Sequence, residues 1–313
     1  MSFALKPHKS LRKGIRRIAR KQMEYAREQV AGTAHGSRDA AVHEARKSFK
    51  KVRALLRLVR PAISAQTYRY ENTALRDAAR PLTEVRDAKI LVETLDNVSQ
   101  HFAERVHSQP FAPIRKELMA YQRKVRTRVL DDENTFTTVE TAVREALARL
   151  EDWTDVPDRW ASVGNGVEQV YRQARRAFAA ATAEPTVENL HEWRKQTKYL
   201  RYQLELLVTV WPEMMEPLVE QADHLGKLLG DDHDLAVLHQ LLTHDAERFG
   251  GEEKLELLFA LIERRRKELE EEATLLGRRL FQDSPKEFIR RVKGYWTVLR
   301  KADVRVSPDT NPA

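Results

Sequence analysis

VHEARKSFKKVRALL, residues 42–56, is echoed by LHEWRKQTKYLRYQL at residues 190–204, and the reading of this pair decides the fold. At an offset of 148, His43 falls on His191, Glu44 on Glu192, Arg46 on Arg194 and Lys47 on Lys195. The register continues with Lys50 on Lys198, Arg53 on Arg201 and Leu56 on Leu204. On a helix advancing about 100° per residue, His43, Arg46, Lys47, Lys50, Lys51, Arg53 and Arg57 fall mainly on one half of the cylinder. Ala45, Phe49, Val52, Leu55, Leu56 and Val59 take the other half, so one face is built for a core and the opposite one is cationic. The second copy sets its His191, Arg194, Lys195, Lys198 and Arg201 opposite Trp193, Leu200, Leu204 and Leu207.

A second pair follows at nearly the same spacing. RPLTEVRDAKIL at 80–91 matches KLLGDDHDLAVL at 227–238, with Leu82 on Leu229, Asp87 on Asp234 and Leu91 on Leu238, while Arg80 and Lys227 are both basic. Repeats of this length indicate a duplicated helical unit, one copy in about 9–150 and the other in about 157–301, with a flexible tail at 302–313. Two homologous bundles packed about a pseudo-two-fold axis would bring both cationic helices to one central surface.

The rest of the sequence agrees with an all-α chain of 313 residues. Ala, Leu, Glu, Arg and Lys dominate, Gly numbers 11, and 42% hydrophobic residues suffice for a real core. Helices are expected from Ser10 to about Ala31, from Ser37 to before Pro61, and over 65–80, with Asp87 starting the next. Others are expected over 111–131, 136–151, 160–182, 186–210, 213–229, 234–248, 252–280 and 285–301. Asp234 reads as the cap of a fresh helix after Asp231-Asp232-His233. The absence of cysteine excludes disulfides and thiolate catalysis and fits a reducing cytoplasm. No run of about 18 apolar residues is present to cross a bilayer, and the first 15 residues are too charged for a secretion signal.

The net charge of +8 is unevenly placed: residues 1–70 carry 18 Lys/Arg against four acids, a net of +14, leaving −6 on the remainder. Residues 45–70 hold eight Lys/Arg and no acid, and so do residues 1–23, which include Arg16 and Arg20. Like charges at i and i+4 repel, and an ordinary solvated face mixes signs, so an anion is the missing partner. A solubilising face is the plainer reading of any one such run, and a lone His at the edge of an apolar stripe is usually structural. His43 and His191 stand apart because each opens its stripe at an equivalent position. Beside phosphates their imidazolium form would be favoured, a charge that strengthens as pH falls toward about 6.

Signals for catalysis are weak. His43-Glu44 and His191-Glu192 begin like a zinc-protease HExxH, but Lys47 and Lys195 stand where the second histidine belongs. No phosphate-binding glycine loop or nucleophile elbow occurs. No catalytic residue, metal or cofactor is expected. Two alternatives stay open: a nucleic-acid-binding protein, and a metal-dependent phosphohydrolase using the Asp231–Asp234 cluster.

VHEARKSFKKVRALLRLV (42–59), LRDAARPLTEVRDAKIL (75–91), LHEWRKQTKYLRYQLELL (190–207) and HLGKLLGDDHDLAVL (224–238) together resemble the conserved histidine α-helical domain family, known as CHAD. Each repeat supplies the family's His-x-x-Arg/Lys stripe and its later Arg/His-Asp turn, so the resemblance spans about residues 9–301. It implies two antiparallel four-helix bundles with a basic surface at their junction. It also implies binding of inorganic polyphosphate, or other polyanions, and a place at polyphosphate granules. The implied phosphate contacts are His43, Arg46, Lys47, Lys50 and Arg53, with counterparts His191, Arg194, Lys195, Lys198 and Arg201. Arg76, Arg80 and Arg86 match basic positions of the second motif, and Arg16, Arg20, Arg57 and Lys227 complete the expected set. Asp87 and Asp234 look like structural acids that start helices. The chain departs from the family at Lys227 and His224, where neutral side chains are usual, and at Thr83, where Gly is common. Few aromatics interrupt the stripes, whereas grooves for single-stranded nucleic acid interleave stacking platforms with charge.

Overall fold

The computed structural model describes residues 3–6, 9–31, 37–104, 111–132 and 134–306. Among these residues the helices are joined by short non-helical segments, and no strand is present. Its first half contains α1 (Leu11–Val30), α2 (Arg38–Val59), α3 (Ala65–Ala79), α4 (Thr83–His101), α5 (Ala112–Arg126), α6 (Thr135–Ala148) and the short α7 (Leu150–Thr154). Its second half contains α8 (Ala161–Ala183), α9 (Val187–Leu207), α10 (Pro212–His244), α11 (Glu252–Leu280) and α12 (Pro285–Val306). Residues 307–313, most of the expected tail, lie outside the described residues.

Local chemistry sets several helix starts. Ser10, Ser37, Ser64 and Thr186 each accept the backbone N–H three residues on, satisfying a donor that the first turn leaves free. Pro81 has no N–H to donate, and the chain breaks there between α3 and α4.

Two expected helix starts are corrected. Asp87 does not begin a helix, because α4 starts at Thr83 and carries Asp87 in its second turn. Asp234 caps nothing, because α10 runs unbroken for 33 residues through Gly230 and Asp231. A glycine costs a helix about 1 kcal/mol, which burial on both sides of α10 outweighs, and this stretch lacks the proline that breaks the equivalent point in the first half.

A single apolar core runs from Phe3 to Trp296 through both halves. At its centre α2, α8 and α9 meet. Gly166 on α8 lets that helix press on the end of α2, since a Cβ there would lie 1.9 Å from the carbonyl oxygen of Leu58. An N-terminal strap closes the same junction: Leu5 N–H donates to the Leu206 carbonyl at 2.8 Å, and Phe3 packs edge-on to Tyr202.

Across the α2–α9 seam, Arg57 lies over the ring of Tyr199 and Lys51 meets Glu205 at 3.5 Å. The offset of 148 turns Arg57 into Glu205 and Lys51 into Tyr199, so one contact is carried onto the other with different chemistry. Among the described residues no helix is long and apolar enough to cross a membrane.

Candidate functional site

α2, α4, α9 and α10 enclose a trough of about 730 Å³. Nine Lys/Arg and three histidines line it against four aspartates. α2 supplies His43, Arg46, Lys47 and Lys50; α4 supplies Arg86 and Asp87. α9 supplies His191, Arg194, Lys195, Lys198 and Arg201, and α10 supplies Asp223, Lys227, Asp231, His233 and Asp234. α2 and α9 turn their apolar stripes inward: Phe49 and Trp193, four positions or about one helical turn from matching in the repeats, are almost wholly buried. The cationic stripe is thereby forced onto the trough wall.

The repeated lysines are the most strongly perturbed cations of the trough. Lys198 loses much of its solvent and faces Arg194 and Lys50, which push its ammonium down to about 7. Lys50 reaches solvent at the mouth, but the protein around its ammonium and the guanidiniums of Arg46, Arg194 and Arg86 push it down to about 8. Lost solvent is the larger cause of both shifts, and the like charges crowded around the two lysines add to it. Arg194 adds a buried Nε with no hydrogen-bond acceptor.

The histidines respond to the same field. Desolvation and then Arg86 lower His43, and desolvation followed by Arg194 and Lys195 lowers His191. His233 is pushed down to about 4 by desolvation, Arg194 and His191, and its Nδ1 stands 3.4 Å from Nδ1 of His191.

The carboxylates orient this array without neutralising it. Asp234 pairs with Arg194 at 3.5 Å, and Asp87 is among the charges facing Arg46 and Lys50. Arg46 also donates to the Thr83 hydroxyl. The counterpart of Thr83 is Gly230, whose missing side chain leaves room for the Arg194 guanidinium 3.7 Å from where a Cβ would stand. Asp223 binds Arg201 at 3.2 Å and Lys227 at 3.0 Å. Lys47 and Lys195 lean on Glu44 and Glu192 of their own helices.

A second recess of about 460 Å³ adjoins the trough and shares Arg46 and Lys50 with it. Arg53, Arg76 and Arg80 line the recess together with Thr83, and no acid lines it.

The structure thus gathers most of the expected contacts into two neighbouring hollows and leaves three outside. Arg16 turns to Glu151 and Thr154 of α7. Arg20 is exposed on α1 and lines neither hollow. Arg57 stacks on Tyr199 in the seam. The basic run at 1–23 finds acids from a distant part of the chain, as Arg12 with Asp155 at 3.1 Å also shows.

Sequence reasoning missed Asp223, Asp231 and His233 as trough residues. His233 was legible, because the offset that pairs Asp87 with Asp234 pairs Arg86 with His233. The acidic cluster itself is split by the helix: Asp231 and Asp234 face the trough, whereas Asp232 is buried against Arg266 at 2.9 Å. Among the described residues no group of three His, Cys, Asp or Glu is arranged to hold a metal ion.

Comparison with known proteins agrees with this architecture. No curated protein matches the chain. Among solved structures, the crystal structure of the CHAD domain from the plant Ricinus communis matches with a TM-score of 0.55 over 95% of both chains at 14% identity, a likeness of fold. The family model for the CHAD domain matches residues 17–243. The chain therefore belongs to the CHAD domain family.

Proposed function

We propose that this protein holds long-chain inorganic polyphosphate in the trough between α2, α4, α9 and α10, as a binder rather than a catalyst. The observation that carries this reading is the crowding of Lys50 and Lys198 with Arg46, Arg86 and Arg194 along one trough, where lost solvent and then the neighbouring cations lower both ammonium groups. Polyphosphate carries about one charge per phosphate, so its binding would release condensed counterions as Lys and Arg replace them, by the logic established for nucleic acids. Arginine adds paired hydrogen bonds to non-bridging oxygens, and lysine a mobile point charge.

The offset-related seam contacts, Arg57 with Tyr199 and Lys51 with Glu205, support the reading of residues 9–301 as a duplicated unit with pseudo-two-fold symmetry. The trough would then be the shared surface of two related bundles. A protein that holds the polymer this way is suited to polyphosphate granules.

Apart from its three histidines, the only aromatic among the trough's lining residues is Tyr202, itself nearly buried, and the absence of Trp and Phe from that lining favours phosphate over bases. Competition tests the choice. Unlabelled polyphosphate is expected to displace a bound oligonucleotide at equal charge concentration. Failure to displace it would make nucleic acid the ligand.

A further inference from the structure

The two flanks of the trough differ in shape and, more sharply, in charge. On the first-half side Arg53, Arg76 and Arg80 line the recess beyond Arg46 and Lys50. Arg53 is held by a neutral partner, the Asn72 side-chain oxygen at 3.2 Å, and the one carboxylate in its field is the exposed Asp77, with which it makes no ion pair among the described residues. Arg80 has no ion-pair partner among the described residues, and Arg76 pairs only with its exposed neighbour Asp77, an arrangement that contributes little.

On the second-half side the equivalent positions read differently. The spacing that places Arg80 on Lys227 places Arg76 on Asp223, a reversal of sign. Asp223 ties down both Arg201 and Lys227, and Glu205 takes a further bond from Arg201 at 3.2 Å. Shape runs the other way. Gly226 and Gly230 keep the second flank continuous with the trough, while the Arg46–Thr83 contact stands between the trough and the first-half recess.

We infer that a polyphosphate too long for the trough leaves it on one side only, across Arg46 and Lys50 into the recess of Arg53, Arg76 and Arg80. The inference rests on the proposed function. It makes the first-half flank a length-sensing extension: a short chain gains from the trough alone, and each further phosphate on the first-half side meets a guanidinium opposed by no carboxylate other than the exposed Asp77. Toward the second half, an added phosphate must first displace Asp223 from the cations that it already satisfies.

The test compares tripolyphosphate with a polyphosphate of several tens of units. In the full-length protein, Arg76→Glu with Arg80→Glu is expected to weaken the long chain at least about tenfold more than tripolyphosphate. Should that pair fold poorly, Arg76→Gln with Arg80→Gln is expected to show the same difference at smaller size. Asp223→Asn is expected to tighten the long chain severalfold by freeing Lys227 and removing one of the two carboxylates that hold Arg201. Equal losses on both ligands, or a long chain weakened by Asp223→Asn, would overturn the one-sided path while leaving the trough reading intact. A wild-type protein that binds neither ligand would overturn both.

Discussion

His191 on α9 and His233 on α10 face each other with their Nδ1 atoms 3.4 Å apart, so one ring donates a proton and the other accepts it only while the pair is not doubly charged. Arg194 and Lys198 press on the pair, and His233 is held down to about 4. Lys198 at about 7 and Lys50 at about 8 lie in the same field. All these bases are depressed by lost solvent and neighbouring cations, and a bound polyanion cancels the second cause. Their pKa values should therefore rise on binding, with protons taken up. Titration calorimetry near pH 7.5 in two buffers of different ionisation enthalpy should show net uptake, and affinity should strengthen as pH falls from about 9 to 6. Proton release on binding would contradict this.

Lys198 also sets a trade between stability and binding. Its folded pKa, about 7, lies below its unfolded value of 10.5, so the unfolded chain holds the proton more tightly. For this group, the stability of the unliganded protein rises as pH climbs from 7 toward 10.5. Lys198→Met should accordingly stabilise the free protein near pH 7, on the order of 1–3 kcal/mol, while weakening polyphosphate binding. Denaturant melts and binding isotherms on one preparation check both signs.

Behind the trough, Arg266 gathers Asp232 at 2.9 Å, Glu263 at 3.4 Å and Glu270 at 3.6 Å. One cation among three acids leaves excess negative charge. Glu270, short of solvent and beside Asp232, is pushed up to about 7 from the ordinary 4.5. A carboxyl raised in the folded state costs stability as pH rises through the interval between those values. Glu270→Gln should remove that cost and raise stability at pH 8 by about 1–3 kcal/mol, with little effect at pH 4. Thermal melts at the two pH values read the difference directly.

The part of this architecture that follows from spacing was legible in the sequence. Phe49 and Trp193 had to turn inward, and once they did, Arg46, Lys50, Arg194 and Lys198 had to share the outer face. What spacing could not reveal is which cations the fold satisfies from within. Arg16 meets Glu151 across 135 positions of chain, and Arg57 leaves its stripe because Tyr199 offers a ring at 4.0 Å. Asp87 and Asp234 looked like caps because Asp favours that place, but α4 already starts at Thr83, and burial of α10 on both sides carries that helix straight through Asp234. Asp223 drew no notice in sequence, being an ordinary acid on a mixed helix, and its importance appears only once Arg201 and Lys227 converge on it.

The central claim, that two sequence-related stripes form one phosphate-binding field, is tested most directly by reversing Arg46 and Lys50 to Glu and measuring long-chain polyphosphate affinity across several salt concentrations. The double variant should keep its fold, lose more than about tenfold in affinity and show a shallower dependence of log affinity on log salt. Unchanged affinity with an unchanged salt slope in a folded double variant would contradict that claim.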